Sequence, residues 1–371
     1  MSLHALLSQS HTYFKKDYDS AVRLFENTVT NYKTLIDRRQ TYVHPMPSPS
    51  EESLRTEAVW LGNPLASKVL IISSGTHGIE GYCGSAIQSF LLQCLHEKHF
   101  EHNETTAILF LHALNPWGMA WARRCDEQGI DLNRNFLDYG NLPESSPYFP
   151  EILHCLSDSN SLVRAAGLHQ LTLKLGQTAF DQAFSEGQYT TPWAPFYGGV
   201  SKAFGRLVCE KAVDDFALAG REIVMLDLHT GLGPYGYGEL ISDHALNTPA
   251  IAYSKKMFGA SVAHTHGGDS FSVPKLGLLD YFWHDYMNKN GCFLTLEFGT
   301  HGTTALFDVI FDDHYFWKNT PPTSLHDDAY QTTRNAMLAH FCPDDSIWQQ
   351  STLFRAWQVV QSTLKSFCND S

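Results

Sequence analysis

The sequence holds no run approaching the ~18 consecutive apolar residues of a membrane-spanning helix. It also lacks any cluster of basic residues: 371 residues carry 26 Lys+Arg against 39 Asp+Glu, a formal charge of −13. Nucleic-acid binding rests on clustered cations that neutralise phosphates, so neither nucleic acid nor a membrane is an expected partner. The eight cysteines (Cys83, Cys94, Cys125, Cys155, Cys209, Cys292, Cys342 and Cys368) include no Cys-x-x-Cys pair, which speaks against a Cys-based zinc site or a dithiol redox motif and for reduced thiols, several in the core. No Gly-x-Ser-x-Gly elbow occurs, which weakens a serine hydrolase. The opening "MSLHALLSQSHTYFKKDYDS" lacks the basic start, apolar centre and small-residue cleavage site of a secretory signal, so the expected location is the cytoplasm. There is no internal repeat, low-complexity tract or flexible linker, and a single domain over 1–371 is expected.

What the sequence does hold is strands alternating with helices. Short β-rich runs occur at "KVLIISS" (68–74), "TAILFLHAL" (106–114), "EIVMLDLH" (222–229) and "CFLTLEF" (292–298), each followed by a loop signal. Helical patterns lie between them, at 86–100 and as one long stretch at 162–184. The expectation is an α/β domain with a mixed, mostly parallel twisted sheet covered by helices on both faces. A largely helical insertion is expected over about 141–220, and two or three closing helices after "LEFGT", the last ending near Phe367.

Open α/β sheets bind ligands outside the carboxyl ends of their strands, and that is where the polar residues gather. His77 and Glu80 follow the first of these strands, Arg124 and "DLNRNF" lie beyond the second, His229 ends the third and Glu297 the fourth. Two imidazoles and one carboxylate form a standard ligand set for catalytic zinc, so His77, Glu80 and His229 are candidate ligands. Glu297 is then a free carboxylate beside the ion, able to take a proton from water. Each residue alone has a simpler reading: a turn histidine, an early-helix glutamate, a buried strand histidine. Their order at four strand ends is what favours a site.

"HGIE" (77–80), "RCDEQGIDLNRNF" (124–136), "DLHTGLG" (227–233) and "LTLEFGT" (294–300) together resemble the zinc carboxypeptidases and their relatives, with "THGIEGYCGSAIQ" most similar to a poorly characterised bacterial-type branch. The resemblance implies the zinc-carboxypeptidase-like (phosphorylase/hydrolase-like) fold and one zinc ion per chain. It implies His77, Glu80 and His229 as ligands, Glu297 as general base, and Arg124 as the cation that polarises the scissile carbonyl. Asn133 and Arg134 match the pair that binds the substrate's terminal carboxylate, and Leu279 matches a specificity position, where an apolar residue points to a neutral or apolar terminal residue. Arg124 lies nine residues before Asn133, a spacing more like the cytosolic, tail-trimming branch. The implied substrate is a small peptide or an N-acyl amino acid. Aspartoacylase- or succinylglutamate desuccinylase-type amide cleavage is the alternative to a carboxypeptidase, and a non-catalytic zinc-containing peptide-binding module the second alternative.

One family element has no counterpart. The loop "DSFSVPKLG" before "GLLD" (277–280) contains no tyrosine where the carboxypeptidases carry a mobile one, although Tyr235 and Tyr281 lie nearby in sequence. Arg134 could also be a mere loop partner of Asp131. Two histidine tracts read as decoys: "HEKHFEH" (96–102), with His96, His99 and His102, as a solvated helix end, and "HTHGGD" (264–269) as a Gly-rich turn lining the pocket.

Overall fold

In a computed structural model that describes residues 1–369 apart from 102, 288 and 323, eight strands form one sheet. They are β1 (Ile36–Pro47), β2 (Ser53–Leu61), β3 (Lys68–Ser73), β4 (Thr106–His112), β5 (Glu222–Gly231), β6 (Gly238–Ser242), β7 (Val262–His264) and β8 (Cys292–Gly299), in the order β1-β2-β4-β3-β5-β8-β6-β7. β3 pairs in parallel with β4 and β5, β5 with β8, and β6 with β7, while β1/β2, β2/β4 and β6/β8 are antiparallel. The chain is thus a single α/β domain with a mixed sheet flanked by helices, as its alternating pattern implies.

The four strands legible in the sequence, β3, β4, β5 and β8, lie together at the sheet centre, where both faces are covered and the residues are almost all buried. The other four had no comparable signal. β1 reads "IDRRQTYVHPMP" and is mostly exposed, as an edge strand can be, and β7 is only three residues long. Along the central strands successive side chains feed opposite faces. Leu70, Ile72, Phe110 and Leu226 pack under the helices Gly81–His96 and Ser346–Asn369; Val69, Ile71, Leu109 and Met225 pack under Phe204–Asp215 and Leu279–Tyr286.

The insertion over 141–220 is helical in part. The stretch 162–184, expected as one helix, is two, Ser161–Leu175 and Gln177–Ser185, because Gly176 between them sits at φ 82°, where a helix cannot continue. Residues 186–203 carry no helix and are fastened by a bridge between Gln188 and Tyr197. Three helices close the chain: Thr303–Asn319, Asp328–Phe341 and Ser346–Asn369. No helix among the described residues is long and apolar enough to cross a membrane.

This topology decides where a ligand can sit. The chain leaves β3 into a helix on one face and enters β5 from a helix on the other, with β4 and β5 on opposite sides of β3. The strand order therefore reverses between β3 and β5, and a crevice opens at their carboxyl ends.

Candidate metal centre and its cavity

The segment after β3 makes a tight turn, Gly78–Glu80, before the helix Gly81–His96 begins. Its position is set by a second loop: Gly78 N donates to Arg124 O at 3.1 Å and Ile79 N to Arg123 O at 2.7 Å. The turn also packs against the short helix Pro116–Ala120 with no room between them. A Cβ on Gly78 would lie 2.1 Å from the carbonyl carbon of Gly118 and 2.3 Å from Met119 N, both backbone atoms that cannot swing aside. Gly78→Ala is therefore expected to cost at least ~1–3 kcal/mol of stability and to pull His77 and Glu80 out of register, read as a lower Tm together with reduced zinc content. An unchanged Tm and a full complement of metal would show that the turn can yield.

His77, Glu80 and His229 converge, their facing atoms all within 4.8 Å of one another. His77 Nδ1 is 2.8 Å from Glu80 Oε1, His229 Nδ1 is 3.0 Å from Glu80 Oε2, and the two Nδ1 atoms are 3.2 Å apart. All three side chains are buried. Burial works against ionisation of Glu80, but the His77 and His229 rings beside it outweigh that and hold its carboxyl well below the usual range. The far nitrogen of each ring is tied to an acid. His229 Nε2 meets Asp227 Oδ2 at 2.5 Å, and Asp227 Oδ1 accepts from Ser73 Oγ and Thr76 Oγ1; His77 Nε2 meets Asp131 Oδ1 at 3.0 Å.

Two imidazole nitrogens facing each other at 3.2 Å can share at most one proton, and a carboxylate closes the triangle. Such a donor set, with each ring oriented from behind by a carboxylate, is what zinc takes, so these residues fit the ion. Asp227 and Asp131 were not assigned these roles from sequence. A signal for Asp227 was there: it precedes His229 by two on a strand, a spacing that puts both side chains on one face.

Apart from Leu279, the remaining candidates fall around one cavity, whose space together with its open mouth is about 750 Å³. Its wall includes His77, Glu80, His229, Arg124, Asn133, Arg134 and Glu297. Glu297 is the lateral partner of His229 across β5 and β8; its Oε1 accepts from Leu232 N at 3.0 Å, and it is not among the three converging residues. Burial, and then the charge of Glu80, pushes its pKa up to about 7. Arg124 donates through Nε to Asp131 and through Nη1 to Glu80, with Nη2 2.8 Å from His77 Nε2.

Asn133 Oδ1 accepts from Leu279 N at 2.9 Å, which leaves its NH₂ end for a ligand. Arg134 is fully buried, 0% exposed. Its hydrogen bonds go to carbonyl oxygens alone, Ser185 O from Nε and Nη2 and Asn133 O from Nη1, and its guanidinium lies 5.5 Å from the Phe196 ring centre. Asp131 is taken by Arg124 and His77, so the reading of Arg134 as a loop partner of Asp131 does not hold.

Leu279 is a correction. It begins the helix Leu279–Tyr286 and points into the core beside Phe136 and Trp283; the preceding residue, Leu278, lines the cavity instead. The inference of an apolar terminal residue loses its basis. The tract 264–269 is a second correction, for it contributes nothing to the cavity: it is the end of β7 and a short turn, in which His264 N donates to Asp269 Oδ1. In the other tract His96 is exposed and stacks on Tyr32, His99 contacts Met1 O, and His102 lies outside the described residues. Neither Tyr235 nor Tyr281 lines the cavity, nor does any other tyrosine among the described residues.

Residues 14–355 match the family described as "Protein of unknown function (DUF2817)". The chain belongs to that family. No curated protein matches it in sequence. Solved structures similar to this DUF2817 chain include bovine thrombin-activatable fibrinolysis inhibitor in complex with tick carboxypeptidase inhibitor, 12% identical over 97% of this chain and 99% of that one, TM-score 0.48. Others are a metallo-carboxypeptidase from Pseudomonas aeruginosa, 13% identical over 91% and 69%, TM-score 0.40, and the succinylglutamate desuccinylase from Chromobacterium violaceum, 14% identical over 87% and 74%, TM-score 0.35.

The DUF2817 chain also lines its cavity with residues that had no motif to announce them: Ser185 and Phe196 from the insertion, Ile241 and Asp243 from β6 and the residues after it, and Lys275 from the loop without a tyrosine. They reach the cavity through tertiary packing alone.

Proposed function

We propose that this chain is a zinc-dependent hydrolase that cleaves an amide bond next to a free carboxylate, acting as a carboxypeptidase on a small peptide. Arg134 carries this reading. A guanidinium buried to 0% exposure, bonded only to carbonyl oxygens and opening on the same cavity as the His-Glu-His cluster, is a cation awaiting an anion. Its planar fork suits a carboxylate, and the NH₂ of Asn133 adds a neutral donor beside it.

His77, Glu80 and His229 would hold a zinc ion, which would supply Lewis acidity toward the scissile carbonyl and water. Arg134 and Asn133 fix the substrate's terminal carboxylate and so place the preceding amide near Glu297. Glu297 takes a proton from the attacking water and returns it to the leaving amine. Arg124, with Nε on Asp131 and Nη1 on Glu80, turns its remaining N–H groups toward the carbonyl oxygen as charge develops there. A module that only bound peptide would have no use for Glu297, which the ligand set does not need.

The test compares one blocked dipeptide as its free acid and as its C-terminal amide, with the zinc-loaded protein. Removing the anionic partner of a buried cation costs about 3–5 kcal/mol, so kcat/KM is expected to fall ~10²–10⁴-fold for the amide. Equal values for the two would exclude carboxylate recognition and, with it, the carboxypeptidase reading.

A further inference from the structure

The part of the cavity wall formed by β6, β8 and the loop 269–277, its floor, carries charged residues among apolar ones such as Ile241, Phe271 and Val273. Ile241 on β6 pairs with Thr295 on β8, and both line the cavity. Asp243 follows two residues after Ile241, on the same face of the chain, and lines it too. Its Oδ1 is buried with no hydrogen-bond partner, and a carboxylate oxygen removed from water without a donor is costly. Lys275 enters from the loop 269–277; its hydrogen bonds go to Ser272 Oγ and Val273 O of its own loop, and no carboxylate lies within ion-pair distance of it among the described residues. Asp243, Lys275, Arg134 and Glu297 all line this one cavity, and the charge of Asp243 is felt by both Lys275 and Arg134. Burial brings the Lys275 amine down to about 8, in keeping with a cation that lacks a close partner.

An apolar side chain in this space would leave Asp243 Oδ1 unpaired and dry. A purely cationic one would satisfy Asp243 but meet the Lys275 charge, and a purely anionic one the reverse. Only a group with a donor for Asp243 and an acceptor for Lys275 satisfies both. Resting on the reading of this cavity as a carboxypeptidase site, we propose that Asp243 and Lys275 are its specificity-determining residues, and that they select a terminal residue whose side chain ends in a group that both donates and accepts hydrogen bonds, such as a carboxamide.

The experiment uses the zinc-loaded chain and the free amino acids that would be released, so that binding reports on the floor whether or not any peptide is cleaved. Calorimetric affinities for glutamine, lysine, glutamate and leucine are compared; the α-amine and α-carboxylate are common to all and cancel. Glutamine is expected to bind ~10–100-fold more tightly than leucine, the discrimination typical of a site whose buried polar groups a ligand leaves unpaired. Asp243→Ala and Lys275→Met should each erase most of the advantage of glutamine over leucine, and by removing the like charge Lys275→Met should improve lysine binding and Asp243→Ala glutamate binding. Leucine binding as tightly as glutamine, or either substitution weakening all four ligands equally, overturns the proposal. Turnover of blocked dipeptides ending in the same four residues is scored separately: no cleavage of any of them counts against the hydrolase reading, while the binding order still decides the role of the floor.

Discussion

His77→Ala is expected to leave the protein without its zinc and without activity. The unaltered chain should carry about one zinc ion, because one cluster of three ligand residues converges among the described residues. Removing a group that merely orients a ligand typically weakens metal binding ~10–100-fold, and removing a ligand should exceed that. The loss is compounded here because the same ring is a meeting point. His77 contacts Glu80, Asp131 and Arg124, and without it the Glu80 carboxylate loses one of the two imidazoles that keep it ionised while Asp131 loses one of its partners. Metal analysis after dialysis, with circular dichroism to establish that the sheet still forms, is the measurement. Zinc content equal to that of the unaltered protein would remove His77 from the ligand set.

Glu297→Gln separates binding from chemistry. The side chain keeps its size, and its carbonyl oxygen can still accept from Leu232 N, so the strand end should hold its shape and zinc content should not change. An amide cannot take a proton from water, and the loss of a positioned general base costs ~10²–10⁴-fold in turnover. The expected pattern is a fall in kcat with KM little altered, because Glu297 is not among the residues proposed to anchor the substrate's carboxylate. A variant that turned over at nearly the original rate would give Glu297 a structural role and favour a cavity that binds without cleaving.

The centre of the fold and the metal cluster were legible in the sequence for the same reason. Strands buried on both faces must be nearly continuous apolar runs, and β3, β4, β5 and β8 are such runs. The polar residues at or just beyond their carboxyl ends, His77, His229 and Glu297, stand out against that background. β1 and β7 were not legible because edge and short strands are under no such demand: β1 carries Asp37, Arg38 and Arg39, which in isolation read as loop. The specificity of the site was not legible either. Leu279 was a plausible lining residue by motif alignment, yet the helix that begins there turns it into the core and presents Leu278, a one-residue displacement that only the start of the helix decides. Asp243 and Lys275 come to the cavity floor from segments 32 residues apart, and nothing local to either announces the other.

The carbonyl oxygen of Ser185 that holds Arg134 belongs to the insertion, at the end of the helix Gln177–Ser185, and so does Phe196 beneath the guanidinium. The proposed anchor for the substrate's carboxylate would therefore be complete only while the insertion is docked. By mass action, a ligand that needs the docked form must favour it, so occupancy of the cavity and seating of the insertion are linked equilibria. Saturating ligand should slow amide hydrogen exchange along residues 177–197, far in sequence from the metal ligands, and partial undocking of that segment would lower affinity without moving a single zinc ligand.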